Sequence, residues 1–593
     1  MPCNAGLFFL MLLWYSYPML QTKLKQIITQ VIYAEYGDIA LPNFSVEVPE
    51  VGEFGDYACN VAMILARIFK KNPMEIARAL AARIEKDAFD FIEKIDIALP
   101  GFLNMFVKNS VALAVADDAL KRPGAWGKSQ EGRDKTVVID YFQLNIAKRP
   151  HVGHLRSAVI GDALKRILHA RGYRTIADTH VGDWGTQFGI LMWAWKNLVR
   201  EEDRIVYREH AFENLEKLYQ AANLHMLQKP EFREFAKAEF AKLEQGDAEN
   251  RAIWQWMVDA SMKELKTSAS RLGLLHFDDP RGESFYEDMM RPIVESALQK
   301  GIAKRTDDNA VIVDLTEENL DEAVLIKSDG ATTYLLRDLA TIQYRKETYN
   351  FWKNLYVVDN RQSHHFRQLF RVAELLGFEG VGDSEHVEFG FMKLPEGAMS
   401  TRAGNAISLD AVLDEAEKRA REVIEEKNPD LKNADEVAKQ VGLGAIKFFD
   451  LSHNRVSDIV FRWEDVLSFE GKTGPYIQYT YARLQSILRK NTTPVGERFS
   501  DTHIFDNKER TLLFHCMHLS EVMERVIEKW SPHLLATYLH DLAKRANEFY
   551  HSHAVLSESD QNKKEFLLML VQVIAITLAT GMSLLGIDTP EEM

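Results

Sequence analysis

The alternation of hydrophobic and polar positions within residues 136–189 predicts a strand, a loop, a helix and a second strand. Thr136–Asp140 is a mainly apolar run that is long enough for a strand buried on both faces and too short for a helix. Apolar residues recur at helical spacing over 155–168, and Gly172 supplies a stop. Tyr173–Asp178 predicts the next strand. This order is typical of the first βαβ unit of a nucleotide-binding sheet, where the loop lies at the carboxyl end of the first strand.

The loop between this strand and helix, residues 145–154, indicates phosphate binding by a loop of unusual composition. It contains one glycine and two histidines, whereas the common dinucleotide-binding loop contains three glycines. Free N–H groups and the positive dipole end of the helix attract phosphate here. His151 and His154 add two hydrogen-bond donors, and Gly153 leaves room for an adenine ring. Donors that tighten on the five-coordinate α-phosphorus of a triphosphate contribute about 10²–10³ in rate each.

The rest of the pattern predicts a multidomain α/β protein, because one core stops growing at about 250–300 residues and this chain has 593. Residues 20–122 mix helical and strand patterns and predict a small α/β domain. A Rossmann-type parallel-sheet domain is expected over 135–395, interrupted by a charged helical insertion at about 195–273. Residues 396–440 are expected to connect it to a wholly helical domain at 441–593.

Individual elements follow from the same pattern. In the first domain we expect two helices and two strands, at Leu24–Tyr33, Pro73–Ile84, Ile95–Leu99 and Phe102–Val107. After the insertion, the parallel sheet is expected to resume with four short apolar runs at Ala310–Leu315, Val324–Lys327, Leu355–Val358 and Val387–Phe391.

Charge and cysteine content narrow the class of protein. Lys and Arg total 72 against 87 Asp and Glu, for a net charge of −15, which argues against indiscriminate nucleic-acid binding and confines RNA contacts to local basic patches. The three cysteines lie far apart, so we expect no disulfide framework and no cysteine zinc site, and a reducing compartment is indicated. The apolar run Gly6–Trp14 is shorter than the ~20 residues that span a bilayer. We expect no membrane attachment, and we treat residues 1–19 as an N-terminal extension.

The four residues His151–His154 resemble the His-Ile-Gly-His signature of class I aminoacyl-tRNA synthetases. Asn-Ile-Ala-Lys at 145–148 and Gly-Asp-Trp-Gly-Thr-Gln-Phe-Gly at 182–189 narrow the resemblance to the arginyl-tRNA synthetases. The resemblance extends from about residue 20 to residue 593.

This resemblance implies an arginine–tRNA ligase. The arginine carboxylate would attack the α-phosphate of Mg-ATP, and the arginyl group would then pass from the adenylate to the terminal adenosine of tRNA(Arg). The implied substrates are L-arginine, ATP and tRNA(Arg), with Mg²⁺ accompanying ATP and no structural metal. The first domain would contact the outer corner of tRNA, and the helical domain would bind the anticodon. We expect a cytoplasmic monomer.

Five residues are candidates for binding arginine. In the arginyl enzymes, a Tyr and an Asp that match Tyr334 and Asp338 hold the substrate. A carboxylate suits a guanidinium, which has five donors in a rigid fork. Asp140, at the end of the first strand, is a second candidate carboxylate. Asn145 and Gln362 match family positions that fix the α-amino end.

A second stretch is similar to the other class I signature, Lys-Met-Ser-Lys-Ser, and consists of Met399, Ser400, Thr401 and Arg402. The match is imperfect, because both lysines are missing. By resemblance this loop binds ATP. The missing lysines remove cations that would stabilise the leaving pyrophosphate. We expect Arg402 to supply one charge and Lys148, in the first loop, to supply another.

RNA contacts are expected in both flanking domains. By resemblance, Phe102 would stack on a base of the tRNA corner and Asn104 would hydrogen-bond to its edge. The C-terminal candidates are Tyr476, Gln478, Tyr479 and Arg483. Aromatic residues on helices more often pack in cores, so we expect only one of the tyrosines at 476, 479 and 481 to touch RNA.

Three alternatives are open at this point. A different class I synthetase is disfavoured, because a cysteinyl enzyme needs a zinc site and a glutamyl pocket needs cations where Asp338 and Asp140 stand. A tRNA-binding paralogue without activity is favoured only by the altered second signature and by Leu144, which replaces the usual Pro. An editing role for the insertion is unnecessary, because a pocket that pairs a guanidinium rejects analogues by about 10⁴ or more.

His364 and His365 are adjacent in sequence, so on a helix they point to different sides, and we predict packing rather than a metal site.

Overall fold

The structure analysed is a computed structural model, which describes residues 20–49, 54–87, 91–394, 397–398, 408–492, 495–500 and 503–593. The expected extension at 1–19 and the second signature at 399–402 lie outside the described residues.

The described strands, in chain order, are β1 Val46–Glu47, β2 Tyr57–Cys59, β3 Ile92–Ala98, β4 Phe102–Val107, β5 Thr136–Asp140, β6 Arg174–Asp178, β7 Ala303–Arg305, β8 Val311–Val313, β9 Ala323–Ile326, β10 Lys353–Tyr356, β11 Ser384–His386, β12 Met392–Leu394, β13 Gly397–Ala398 and β14 Ile459–Val460. The described α-helices are α1 Leu20–Tyr36, α2 Val61–Phe69, α3 Pro73–Asp87, α4 Asn109–Lys121, α5 Val152–Ala170, α6 Thr186–Leu198, α7 Arg204–Glu209, α8 Ala211–Gln228, α9 Phe232–Glu244, α10 Ala248–Arg271, α11 Glu287–Gln299, α12 Tyr334–Tyr349, α13 Ser363–Leu376, α14 Leu409–Lys427, α15 Ala434–Leu451, α16 Trp463–Val466, α17 Gly474–Lys490, α18 Asn507–Met517, α19 Leu519–Lys529, α20 His533–Ser552 and α21 Gln561–Leu584.

The first domain is an antiparallel sheet with the order β1-β2-β4-β3, against which its helices pack. Its predicted helices and strands are confirmed. A turn at Pro100 and Gly101 joins β3 to β4, with Gly101 at φ 142°, a backbone conformation that favours glycine.

The central sheet is fully parallel and has the order β11-β10-β5-β6. The apolar run of β5 is buried between its two neighbours, and α5 crosses over to β6, as the pattern predicts. The chain later returns to the opposite side of β5 through β10. The strand order therefore reverses between β5 and β10, and a crevice opens at their carboxyl ends, which is where ligands bind in such sheets.

Two of the runs predicted to resume this sheet do not belong to it. Residues 311–313 and 323–326 form β8 and β9, which pair antiparallel with each other and with β7 in a separate three-stranded sheet. The prediction of one continuous parallel sheet is therefore wrong for these runs. The predicted run Leu355–Val358 shares its first two residues with β10, whereas β11 ends just before the predicted Val387–Phe391 begins.

The insertion is helical, as expected, and consists of α6 to α10 around its own core. Gly189 on α6 allows the closest approach within it, because a Cβ at this position would lie 2.1 Å from the backbone oxygen of Ala236 on α9. Helices α6 and α9 are therefore packed tightly against each other.

The C-terminal domain is a helical bundle of α17 to α21. One described helix, α21, is long and apolar enough to cross a membrane, but 72% of its most apolar stretch is buried inside the protein, as in a core helix. The first domain docks on this bundle. Arg510 on α18 makes two hydrogen bonds of 2.9 Å to Asp56, and the Tyr57 hydroxyl donates to Glu521 at 2.6 Å.

Candidate active site

The two histidines of the first loop occupy the start of α5 and fix each other. His151 is the N-cap, and its Nδ1 accepts the backbone N–H of Gly153 at 3.1 Å. The backbone N–H of His151 donates to Nδ1 of His154, also at 3.1 Å, and the ring centroids lie 3.9 Å apart. The local sequence produces this arrangement because each ring satisfies an N–H group that a helix start leaves without a partner.

These contacts define the protonation of both rings. Burial lowers the pKa of His154 to about 3, and it also lowers the pKa of His151, helped by the nearby charges of Arg361 and Lys148. Both rings are therefore neutral at pH 7. Because each Nδ1 accepts a backbone proton, each ring carries its own proton on Nε2. The helix start thus presents two uncharged Nε2–H donors beside free backbone N–H groups, a combination suited to phosphate oxygens.

The loop before the histidines is held by the insertion and by the 182–189 motif. Ala147 has φ 55°, which is unusual for a residue with a side chain, and its N–H donates to Ser261 Oγ on α10 at 3.1 Å. Asn145 is exposed and pairs with Gly182, where a Cβ would lie 2.4 Å from the Asn145 side-chain oxygen. Lys148 is exposed too, with its ammonium 5.6 Å from the Tyr219 ring.

Asp338 lies one turn into α12, near two histidines. Its Oδ2 is 2.6 Å from Nε2 of His365, and its Oδ1 is 3.9 Å from Nε2 of His180. Burial alone raises the pKa of Asp338, but the hydrogen bond and charge of His365 outweigh burial and lower it. Asp338 is therefore an ionised, partly accessible carboxylate. His365, for which packing is predicted, also contacts the candidate substrate carboxylate.

Tyr334 begins the same helix and has 66% of its surface exposed, which leaves its ring accessible beside Asp338. Gln362, in the turn that precedes α13, is exposed as well.

Glu283 was not predicted, and the structure places it in this group. Val181 pairs with Gly282, and this pairing brings Glu283 next to the 182–189 motif. Glu283 is 6% exposed, and burial raises its pKa to about 7, while Arg337 opposes this rise and Asp338 adds to it. Its Oε2 lies 3.4 Å from Arg337 but accepts no hydrogen bond from any described residue. It lies in a short turn without periodic pattern, so only its acidic character could have drawn attention to it.

Asp140 is not available as a free carboxylate. Its Oδ2 accepts from Arg345 at 2.6 Å, the same guanidinium donates to Asp178 at 2.5 Å, and Asp140 Oδ1 accepts from Gln143. Asp140 is 2% exposed. The structure gives it a role in joining the carboxyl ends of β5 and β6 to α12, instead of the predicted contact with substrate.

The segment after the second signature returns to the first loop. Ser408 pairs with His151, and the N–H of Leu409 donates to the Pro150 carbonyl at 3.0 Å. Arg361 is a further cation here that was not predicted; it is held by Asp359 at 2.9 Å and stacks on Phe391.

The RNA candidates of the bundle have different surroundings. Tyr479 is partly exposed, and the Arg483 guanidinium lies 4.9 Å from its ring and 5.2 Å from that of Tyr550, which is 39% exposed. Tyr476 accepts a hydrogen bond from Asn547 at 3.0 Å. Gln478 is fully buried.

The amide nitrogen of Gln478 donates to the carbonyls of Gln440 and Asp588. The structure therefore assigns this side chain to packing, instead of the predicted RNA contact. In the first domain, Phe102 is partly exposed and Asn104 is 6% exposed, so the ring is the more accessible of the two predicted contacts.

A parallel sheet with a crevice between β5 and β10, and a helix start that carries two neutral histidines, are the features of a class I aminoacyl-tRNA synthetase. Sequence comparison agrees over most of the chain. The model of the family described as "tRNA synthetases class I (R), catalytic domain" matches residues 117–463. The "Arginyl tRNA synthetase N terminal domain" matches 19–107, and the "DALR anticodon binding domain" matches 477–593.

Individual relatives identify arginine as the amino acid that the enzyme attaches. The chain is 38% identical to an arginine–tRNA ligase of Halothermothrix orenii, over 96% of this chain and 99% of that one, and 40% identical to one of Clostridioides difficile, over 92% and 95%. Its fold matches that of Thermus thermophilus arginyl-tRNA synthetase with a TM-score of 0.81 and 27% identity, covering 97% of this chain and all of that one. The chain belongs to the arginyl-tRNA synthetase family, and its activity is the ATP-dependent attachment of arginine to tRNA.

Proposed function

We propose that Asp338 and Glu283 together bind the substrate guanidinium, with Tyr334 packing against it and with Asn145 and Gln362 at the α-amino end. The observation that carries this proposal is an ionised, partly accessible carboxylate, Asp338, near a second, buried carboxylate, Glu283, whose Oε2 lies 3.4 Å from Arg337 but accepts no hydrogen bond from the described residues. A guanidinium supplies donors to both. Since Asp140 is already paired with Arg345, Glu283 takes the role of second carboxylate.

For activation, we propose that ATP lies across the start of α5, with its adenine over Gly153 and its α-phosphate within reach of both Nε2–H groups. The arginine carboxylate attacks the α-phosphorus, and pyrophosphate leaves. Neutral Nε2–H donors suit this step, because they stabilise the negative charge that spreads over the phosphate oxygens and no proton transfer from the rings is needed. Lys148 and Arg361 supply cations near the histidines. By the family resemblance, Met399, Ser400, Thr401 and Arg402 also bind ATP, and Arg402 adds a charge. Mg²⁺ enters with ATP as part of the substrate.

For tRNA, we propose that Tyr479 and Arg483 form the anticodon-side contact and that Phe102 stacks at the tRNA corner, with Asn104 beside it. Tyr476 supports the platform through Asn547. The tRNA-corner domain spans residues 20–122, the catalytic domain 135–395, the connecting region 396–440 and the anticodon-binding domain 441–593. The enzyme works as a monomer in the cytoplasm, without membrane attachment.

The test is pyrophosphate exchange into ATP with purified protein, arginine and Mg²⁺, with and without arginine-accepting tRNA. We expect exchange only when tRNA is present, because the family resemblance implies that RNA contacts complete the site. Asp338→Asn is expected to abolish exchange at low arginine concentration, whereas Asp321→Asn, which removes a carboxylate from the same domain, is expected to retain it. No exchange under either condition, from folded protein that still binds tRNA, would refute the proposed roles.

A further inference from the structure

A second group of titratable residues lies far from the active site, where the start of α18 meets the end of α20. Asp506 is the N-cap of α18, Glu509 is on its first turn, and His553 is the C-cap of α20. Nε2 of His553 is 2.7 Å from Asp506 Oδ2 and 3.8 Å from Glu509 Oε1. One ligand atom from each residue lies within 4.8 Å of the others. The group thus combines one imidazole and two carboxylates from two helices.

The buried carboxylate of this group, Glu509, has one oxygen that accepts hydrogen bonds and one that does not. Glu509 is 1% exposed. Its Oε2 accepts from the backbone N–H of Asp506 at 3.0 Å and contacts Nε2 of His503 at 2.9 Å. Its Oε1 has no hydrogen-bond donor among the described residues and is directed towards His553. A buried carboxylate oxygen without a partner is costly, so this geometry favours a ligand that Oε1 can bind.

His553 presents Nε2 to the two carboxylates, and its other ring nitrogen faces groups that can hold a proton there. Its Nδ1 lies 3.2 Å from the Phe549 carbonyl and 3.0 Å from Ser552 Oγ, and its ring stacks on Phe549. When the neutral ring carries its proton on Nδ1, that N–H donates to the Phe549 carbonyl, and Nε2 then presents its lone pair to the carboxylates. This is the orientation of a metal-binding histidine, whose other nitrogen is held by a backbone carbonyl. In that tautomer the lone pairs of Nε2 and Asp506 Oδ2 face each other at 2.7 Å, and a cation beside them relieves their repulsion.

We propose that Asp506, Glu509 and His553 bind a divalent transition-metal ion of the Zn²⁺ type. Two carboxylates and a neutral imidazole are ligands that Zn²⁺ accepts, at ~2.0–2.2 Å, in a tetrahedron that solvent can complete. Ligand atoms in such a tetrahedron are about 3.3–3.5 Å apart. The Glu509–His553 separation is close to this value, and Asp506, whose side chain is 49% exposed, moves by less than about 1 Å to reach it. His503 holds Glu509 as an outer partner.

A proton is the competing explanation. Protonated His553 would form an ion pair with Asp506, but it would leave Oε1 of Glu509 without a partner. A metal ion satisfies both carboxylates. Such an ion would join α18 to α20, and α18 also carries Arg510, which holds the first domain.

The experiment is a calorimetric titration of Zn²⁺ into the full chain after treatment with a chelator, with Co²⁺ absorption to report tetrahedral geometry. We expect one ion per chain and a thermal midpoint that rises with Zn²⁺. Asp506→Asn and Glu509→Gln retain helix capping but lose a charged ligand, so each should weaken Zn²⁺ binding at least about tenfold and abolish the thermal shift.

His551→Ala is the matched control, because His551 is an exposed histidine two positions away and its removal should leave Zn²⁺ binding unchanged. If the unmodified chain shows no saturable binding, or if Asp506→Asn and Glu509→Gln bind Zn²⁺ as it does, the proposal is wrong, and the ion pair of His553 with Asp506 explains the contact.

Discussion

At the scale of single residues, the site depends on groups whose protonation is set by their surroundings. His151 and His154 stay neutral because burial lowers their pKa values. Glu283 moves in the opposite direction, to about 7, because burial disfavours its charge. A substrate cation would reverse that preference, so arginine binding and ionisation of Glu283 are linked.

This linkage predicts a pH dependence. Below pH 7, the free enzyme carries Glu283 in its protonated form, which cannot pair with a guanidinium, so kcat/KM for arginine should fall about tenfold per pH unit. Glu283→Gln should raise KM for arginine about 10–100-fold at pH 8 and remove this pH dependence. Steady-state aminoacylation at varied arginine concentration measures both effects.

Asp288→Asn is the control for Glu283→Gln, because Asp288 is exposed on the next turn of chain and should not alter KM. A pH profile of Glu283→Gln that still falls below pH 7 would assign the titration to another group.

At the scale of elements, α10 of the insertion supports the loop at residues 145–154, which leads into the two histidines. Ser261 Oγ donates to the Met257 carbonyl at 2.9 Å and accepts the N–H of Ala147. This contact holds Ala147 at φ 55°, and with it the residues that lead into the histidines. The insertion is therefore part of the framework of the site.

Ser261→Ala tests this support. It leaves a buried N–H without a partner, which costs about 1–3 kcal/mol, so kcat/KM for ATP in pyrophosphate exchange should fall about tenfold or more. Thr267→Ala on the same helix removes an equivalent hydroxyl contact to a carbonyl four residues earlier, without touching the loop. Equal exchange rates in the two variants would show that the loop keeps its conformation without Ser261.

The elements also show where sequence patterns suffice. Residues 136–178 form β5, α5 and β6 as predicted, because strand burial and helix periodicity are local properties. The runs that became β8 and β9 look the same in sequence as parallel strands, since a short apolar run does not specify its partner. Gln478 and Asp140 were misassigned for a related reason: their partners, such as Asp588 and Arg345, lie far away in sequence.

At the scale of the whole molecule, the contact between the first domain and the bundle contains a carboxyl group that burial keeps from ionising. Burial raises the pKa of Glu521 to about 7, from an ordinary 4.5. The folded state therefore binds this proton more tightly than the unfolded chain does. Its stabilising effect is complete below pH 4.5 and is lost as the pH rises through 7.

Glu521→Gln should remove this loss of stability at high pH, because the Gln side chain does not ionise. Its carbonyl can still accept from the Tyr57 hydroxyl. We expect nearly equal stability at pH 5 and a gain of about 2–3 kcal/mol for the variant at pH 8, seen as a higher thermal midpoint. Glu528→Gln, exposed on the same helix, should show no such pH dependence. A constant difference between Glu521→Gln and the unmodified chain at all pH values would rule out ionisation as its cause.

Helix α5 connects the site to the rest of the molecule. Its first turn carries His154, and Arg156 binds Asp450 and the carbonyls of Gly390 and Ser457. Farther along, a Cβ at Gly586 would lie 3.0 Å from Asp162, so this helix touches the end of the bundle. Nineteen residues make a rod about 28 Å long that is stiff along its axis. The two histidines and the end of the bundle are therefore joined by one continuous helix, with no flexible loop between them.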